Sequence, residues 1–141
     1  MNNPLITVIT VVLNAKDHIE QTIQSVINQT YLNIEYIVID GGSTDGTLDI
    51  IKKYEDKITL WKSEPDNGIF DAMNKGIDLA AGEWINFMNA GDYFYENDVL
   101  EKIFYGKEIA EDFVYGGYIN NFHIGKKILT KEIPAPDVND D

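Results

Sequence analysis

Cysteine is absent from this 141-residue chain, so disulfides and thiolate metal sites are excluded. Any metal must be held by oxygen or histidine ligands, and the composition fits a reducing compartment; the expected location is the cytoplasm, with the inner face of the membrane as its extension. Positive charge is scarce. Lys and Arg number 11 against 24 Asp and Glu, a net charge of −13. Phosphate-backbone affinity needs clustered cations, so nucleic acid is not an expected partner. A nucleotide ligand stays open, because a divalent cation can bridge carboxylates to phosphates. Long apolar runs are missing too: the longest, around Val11 to Leu13, is too short and too Thr-rich to span a bilayer, and no transmembrane segment is expected. Met1-Asn2-Asn3-Pro4 offers no basic start and no cleavage signature, so no signal peptide is expected. Neither GxGxxG nor GxxxxGK[ST] occurs, which disfavours the ordinary dinucleotide and P-loop readings.

What is present is an ordinary globular composition, 44% hydrophobic and 25% charged. The length fits one domain. Residues 5–13 (LITVITVVL) form a nearly continuous β-branched run, the pattern of a strand buried on both faces. Asp17 with Glu20 reads as a capping box opening a helix whose stripe is Ile19, Ile23, Val26 and Ile27. Residues 34–39 (IEYIVI) read as a second buried strand, 58–61 as a third, 84–88 as a fourth and 113–119 as a fifth. Helices are predicted after residue 46 (Leu48, Ile51 and Tyr54 on one face), over 69–81 with Gly82 as the C′ residue, and from Asp98 with Glu101 as a second capping box. This alternation implies right-handed crossovers and a mainly parallel sheet covered by helices. Residues 133–141, rich in Pro and Asp, read as a flexible tail behind a domain spanning 1–132.

Ligands of such sheets bind at the carboxyl ends of the strands. That rule singles out Asn14, Asp40, Asp66 and Asp92. The three acids would gather on one edge, each in or beside a Gly-containing turn. Asp at a strand-to-helix junction also caps helices or makes Asx-turns, and for any one of them that explanation is as good. Three together point instead to a cation between them, since converging carboxylates repel. Mg²⁺ or Mn²⁺ suits oxygen ligands and leaves positions for substrate phosphates. The Gly-rich turn 41–46 could cradle a phosphate. A DxDxT phosphotransferase is disfavoured, because Gly42 stands where the second Asp would act as acid–base.

Three blocks then resemble a known family. They are QTYLNIEYIVIDGGSTDGT at residues 29–47, SEPDNGIFDAMNKG at 63–76, and FMNAGD at 87–92. Together with the first strand, in this order and spacing over residues 5–118, the chain closely resembles bacterial family 2 glycosyltransferases of the GT-A fold, the surface-polysaccharide type. The resemblance implies a Rossmann-like three-layer α/β/α domain with a mainly parallel sheet, and a nucleotide-diphosphate sugar donor, a UDP-sugar foremost. It places donor-binding groups at Asn14, Asp40, Gly42, Asp66, Asp71, Asn89 and Gly91. Base and ribose would meet Asp40 and Asp66; Asp92, in the DXD-like turn, would bind the Mg²⁺ or Mn²⁺ that holds the diphosphate. The implied activity is inverting transfer of a sugar to a saccharide or lipid-linked acceptor.

The chain departs from the family pattern in four ways. Gly41 stands where many members carry a second acid. The DXD triplet, Ala90-Gly91-Asp92, has one carboxylate. Leu13 precedes Asn14 where an aromatic is common. The family's catalytic base lies well downstream of the DXD turn, whereas only about fifty residues follow Asp92. The base is therefore expected beyond Asp141, the C-terminal part of the fold is expected to be missing, and the chain alone is expected to bind donor without transferring sugar. The alternative is a non-catalytic nucleotide-sugar-binding domain or half of a split enzyme. Among the remaining residues, His18 and His123 read as surface or helix-start residues, Trp61 and Trp84 as core, and Asp71 with Lys75 as either a surface i,i+4 pair or a donor-facing pair. Glu132, Asp137, Asp140 and Asp141 read as solvated. Tyr93, Phe94 and Tyr95 read as an acceptor-side wall or a core edge.

Overall fold

A computed structural model describes residues 3–106, 113–114 and 127–129. The β-branched run forms β1 (Ile6–Val12), buried along its whole length. It is flanked on both sides by parallel partners, β2 (Ile34–Asp40) and β4 (Trp84–Phe87). β3 (Leu60–Ser63) adds outside β2, also parallel. Beyond β4 lie β6 (Lys127–Leu129) and then β5 (Phe113–Val114), giving the order β3-β2-β1-β4-β6-β5. Both of these pairings are parallel as well. The first four strands occur where the sequence places them, with β3 entering two residues later than 58. β6 is a strand the sequence pattern did not announce, and it inserts between β4 and β5.

Alternation within the strands sorts the core onto two faces. Ile6, Val8 and Val12 of β1, Tyr36 and Val38 of β2, and Trp84 of β4 point to one face. There they meet α1 (Ile19–Ile27), Ile51 of α2 (Thr47–Lys53), and Val99, Leu100 and Phe104 of α4 (Val99–Phe104). Ile9, Val11, Ile37, Ile39, Ile85 and Phe87 point to the other, against Ala72 and Met73 of α3 (Ile69–Leu79). The result is the three-layer α/β/α arrangement. Trp84 is buried as expected, stacked in a tilted pair with Phe104 at 5.4 Å between ring centroids, while Trp61 is only partly buried at the edge of the same cluster.

Three local signals resolve differently from their sequence reading. The Asp17–Glu20 capping box does not form: α1 starts after His18 without a side-chain cap, and Glu20 instead accepts hydrogen bonds from Lys53 Nζ (2.8 Å) and the Tyr54 hydroxyl (2.5 Å) on the α2 side. Asp98 sits at the start of α4 but makes no cap bond, and Glu101 takes the Thr30 hydroxyl. α3 ends at Leu79, with Ala80 extended, so Gly82 is not a left-handed C′ residue. A Cβ there would lie 2.4 Å from Thr7 Oγ1 and 2.7 Å from Thr7 N, so the glycine serves close backbone approach to β1. In all three cases a tertiary partner outcompetes the local motif.

Among the described residues no helix is long and apolar enough to cross a membrane. The tail expected at 133–141, together with His123 and Glu132, lies outside the described residues.

Candidate functional site at the carboxyl edge of the sheet

The chain runs outward from β1 to β2 and β3, then crosses back to β4 on the other side of β1. The carboxyl end of β1 is thus a switch point, where loops leave in opposite directions and open a crevice. The loops that meet there are 13–18, 41–46, 64–68 and 88–95.

Asn14 leaves β1 in the left-handed region, φ 49°, which Asn tolerates better than most residues. Its Oδ1 accepts from Thr44 N at 2.8 Å and its own N–H donates to Ser43 Oγ at 2.8 Å. It therefore clasps the end of β1 to the loop after β2. Asp40 is fully buried at the end of β2. Its Oδ2 accepts from Gly42 N (2.9 Å), Ser43 N (2.8 Å) and Ser63 Oγ (2.8 Å), and its Oδ1 from Ser43 Oγ (2.5 Å). All of these partners belong to the protein, so the carboxylate shapes the loop from beneath.

Asp45 continues the pattern, accepting from Thr47 N, the Thr47 hydroxyl and Lys16 N. The Thr47 hydroxyl foremost holds the Asp45 carboxyl below the usual range. The amides of residues 41 to 44 and of Thr47 thus donate to Val12 O, Asp40, Asn14 and Asp45. A phosphate cradle needs its N–H groups turned outward. The amides of residues 41 to 44 are therefore engaged within the protein, and Gly42 adopts φ +97° among them.

Asp66 is half-buried in the loop before α3. Its Oδ1 accepts from Gly68 N at 3.0 Å, and its Oδ2 lies 2.7 Å from where a Cβ of residue 41 would stand. The absence of a side chain at Gly41, a departure from the family pattern, thus makes room for the Asp66 carboxylate. Asp66 also borders a cleft of about 210 Å³ whose other walls are Val11, Val12, Leu13, Gly68, Ile69 and Ala72. One carboxylate over an apolar floor is a surface for a flat heterocycle with polar edges. Asp71 does not pair closely with Lys75. Its Oδ2 accepts from Asn67 N at 2.9 Å and stands 3.9 Å from Lys75 Nζ, which pairs with Glu64 at 2.9 Å and donates to Pro65 O. The hydrogen bond between Lys75 and Glu64 lowers the carboxyl and raises the ammonium from their ordinary values. Both residues brace the loop that presents Asp66.

Past β4 the turn is anchored to β1 by Met88 N to Ile9 O (2.8 Å) and Ala90 N to Val11 O (3.1 Å). Asp92 N donates to Asn89 O at 2.9 Å, and Gly91 has φ +100°. Asn89 Oδ1 is buried and accepts no hydrogen bond among the described residues. Beneath the turn, Thr10 Oγ1 donates to Met88 O (2.6 Å) and therefore accepts from the buried Tyr36 hydroxyl (2.8 Å), whose phenol burial pushes well above its ordinary pKa.

The sequence did not single out the polar residues of α1. Thr22 Oγ1 donates to Asp92 O (2.7 Å) and accepts from Gly91 N (3.0 Å). Ser25 Oγ accepts from Phe94 N, and Gln29 bridges Glu96 O and Leu100 N. Thr22 and Ser25 stand at i and i+3 on α1, and Gln29 follows just past its C-cap, so α1 and its exit together form a rack for residues 91–100. That spacing was legible; that the stripe faces backbone rather than water was not.

The three strand-end acids do not converge on one cation. Among the described residues no group of three His, Cys, Asp or Glu is placed to hold a metal ion. Asp40 faces inward beneath its own loop, and Asp66 lies over Gly41.

Comparison with known proteins agrees with this geometry. The family described as glycosyl transferase family 2 matches residues 7–131. A PGL/p-HBAD biosynthesis glycosyltransferase of Mycobacterium tuberculosis is 36% identical over 133 residues, covering 89% of this chain and 52% of the relative. A glycosyltransferase of Haemophilus influenzae is 43% identical over 105 residues, covering 72% and 42%. The chain thus spans about half the length of the curated relatives it matches. Among solved structures, the mannosyltransferase PcManGT of Pyrobaculum calidifontis, in complex with GDP-Man and Mn²⁺, superimposes with TM-score 0.65 at 27% identity, over 70% of this chain and 30% of that one. S. aureus TarS, in complex with UDP-GlcNAc, gives TM-score 0.68 at 22% identity over 86% and 37%, a likeness of fold. The α/β fold is that of the GT-A glycosyltransferases, and by its matched sequence over most of its length the chain belongs to glycosyl transferase family 2.

Proposed function

We propose that the whole protein is an inverting glycosyltransferase that moves a sugar from a nucleotide-diphosphate donor, a UDP-sugar foremost, to a saccharide or lipid-linked acceptor in the cytoplasm or at the inner membrane face. Residues 1–132 are its donor-binding unit. The observation that carries this reading is the crevice at the end of β1, with the Asp66 cleft on one side and the Asp92 turn on the other. The nucleoside lies in the cleft against Val11 to Leu13, with Asp66 as its acceptor. Asn14, Asp40 and Gly42 fix the loop beside it; Asp71 fixes the loop that presents Asp66; Asn89 and Gly91 build the turn that presents Asp92.

Mg²⁺ or Mn²⁺ is commonly held by one or two protein oxygens with the rest from phosphates and water, which one carboxylate at Asp92 would satisfy; the Asn89 amide oxygen in the same turn, unpartnered among the described residues, would be a second ligand. Such a cation, bound by Asp92, would act as a Lewis acid for the departing nucleoside diphosphate. In the transfer itself the acceptor oxygen forms a bond to the anomeric carbon as the bond to the diphosphate oxygen breaks. The acceptor proton passes to a general base, and the configuration inverts.

The test is calorimetry with UDP and GDP, with Mn²⁺ and with EDTA. Tighter diphosphate binding in Mn²⁺ than in EDTA is expected, with Asp92→Asn losing that difference. Equal affinity of wild type and Asp92→Asn in Mn²⁺ removes Asp92 from the metal site.

A further inference from the structure

We propose that Thr22, on α1, is the positioning residue that aims the Asp92 carboxylate. The inference rests on the reading of Asp92 as the metal-facing acid. It is independent of which sugar or nucleobase the donor carries.

The geometry is specific. Thr22 is fully buried, so its hydroxyl has no competing bulk water. A hydroxyl has one proton to give and lone pairs to accept with. The proton goes to Asp92 O at 2.7 Å; the i−4 carbonyl of His18, at 3.4 Å, is the weaker acceptor. A lone pair receives Gly91 N–H at 3.0 Å. One side chain therefore holds both ends of the Gly91-Asp92 dipeptide. Of the two polar groups between them, Asp92 N–H is bound to Asn89 O at 2.9 Å. With these three groups fixed, the backbone torsions on either side of the Asp92 Cα cannot drift, and the direction of its Cα–Cβ bond is set from α1. The turn needs such a clamp, because Gly91 is the residue with the widest conformational range in it and a Cβ there would meet nothing within 4 Å.

The sequence gives the clamp a second property. Ser25, one turn further along α1, and Gln29, just past the helix's C-cap, hold Phe94, Glu96 and Leu100. They fix where the segment runs. Thr22 is the member of the rack that touches the residues adjoining the carboxylate. Loss of Gln29 would loosen the far end of the segment, whereas loss of the Thr22 hydroxyl would release the turn itself.

The test compares Thr22→Val, which keeps shape and removes the hydroxyl, with Thr22→Ser, which keeps the hydroxyl. Three quantities are read: UDP affinity in Mn²⁺, UMP affinity in EDTA, and exchange of the Gly91 amide hydrogen. Thr22→Val should weaken Mn²⁺-dependent UDP binding about tenfold, the low end of what loss of a supporting group costs a metal site. It should leave UMP affinity unchanged and speed Gly91 exchange about tenfold, as expected for one lost hydrogen bond. Thr22→Ser should restore all three. If Thr22→Val does not fold, Thr22→Ala, which leaves space for water in place of the methyl and hydroxyl, is measured in the same way. Wild-type Mn²⁺-dependent affinity in Thr22→Val, with Asp92→Asn weakened, overturns the role of Thr22 and leaves that of Asp92 standing. Equal loss of UMP and UDP binding also overturns it, since that marks general damage. If Asp92→Asn itself binds as wild type, the reading of Asp92 has failed and the clamp falls with it.

Discussion

Replacing Asp40 by Ala removes a buried acceptor from four donors: the amides of Gly42 and Ser43 and the hydroxyls of Ser43 and Ser63. The two hydroxyls can turn elsewhere, Ser63 toward solvent. The two amides cannot, because the loop that carries them is pinned by Asn14 to Ser43 and Thr44. Two unsatisfied amides, at about 1–3 kcal/mol each, are partly offset by no longer burying a carboxylate. The expected net loss is about 2–4 kcal/mol. For a chain of this length each kcal/mol shifts the melting temperature by about 3–5 °C, so Asp40→Ala should melt about 6–20 °C lower. Asp40→Asn keeps one acceptor oxygen and can place its amide against Ser43 Oγ, which is able to accept; about half the loss is expected. Because the loop and not the metal is disturbed, UMP and UDP affinity should fall by the same factor. Circular-dichroism melts and calorimetry with both nucleotides provide the measurement. A melt of Asp40→Ala within 2 °C of wild type, on the order of half a kcal/mol, would refute the claim that this carboxylate holds the loop. A loss confined to UDP would move Asp40 to the metal.

Gly41→Ala places a Cβ 2.7 Å from Asp66 Oδ2, so the carboxylate must swing away; UMP affinity should fall with a melt close to that of wild type, and unchanged affinity would remove Asp66 from the nucleoside cleft. Gly82→Ala drives a Cβ against Thr7 N at 2.7 Å, which is backbone and cannot step aside; a loss of about 2–3 kcal/mol in a urea melt is expected, with ligand affinity unchanged. The Glu20 carboxyl is held below its ordinary pKa by its hydrogen bonds to Lys53 and Tyr54. Its contribution is therefore present above the unfolded glutamate value, about 4.3, and is lost as pH falls through the lower folded value. Glu20→Gln should flatten the stability–pH curve in that acid window alone, and an unchanged curve would show that the cluster does not couple α1 to α2.

The sequence by itself determined the frame. A continuous β-branched run at 5–13 has only one comfortable place, the middle of a parallel sheet, and alternation of strands with helical stripes leaves few topologies besides an α/β sandwich. It also placed Asn14, Asp40, Asp66 and Asp92 at or just past the ends of β1 to β4. What it could not determine was where each polar side chain spends its hydrogen bonds. Asp17 with Glu20 and Asp98 with Glu101 have the spacing of helix caps, yet Glu20 and Glu101 are claimed by Tyr54 and Lys53 and by Thr30, residues distant along the chain. Asp40 and Asp66 look alike in sequence, each within two residues of a following glycine near a strand end. The structure turns one inward beneath its own loop and leaves the other at the lip of a cleft, because only Asp40 lies in register with Val12 and faces Ser63 across the next strand. The rack on α1 is invisible for the same reason. Periodicity reports which side chains share a face, whereas the identity of the facing backbone, here residues 91–100, is decided by how two segments seventy residues apart pack together.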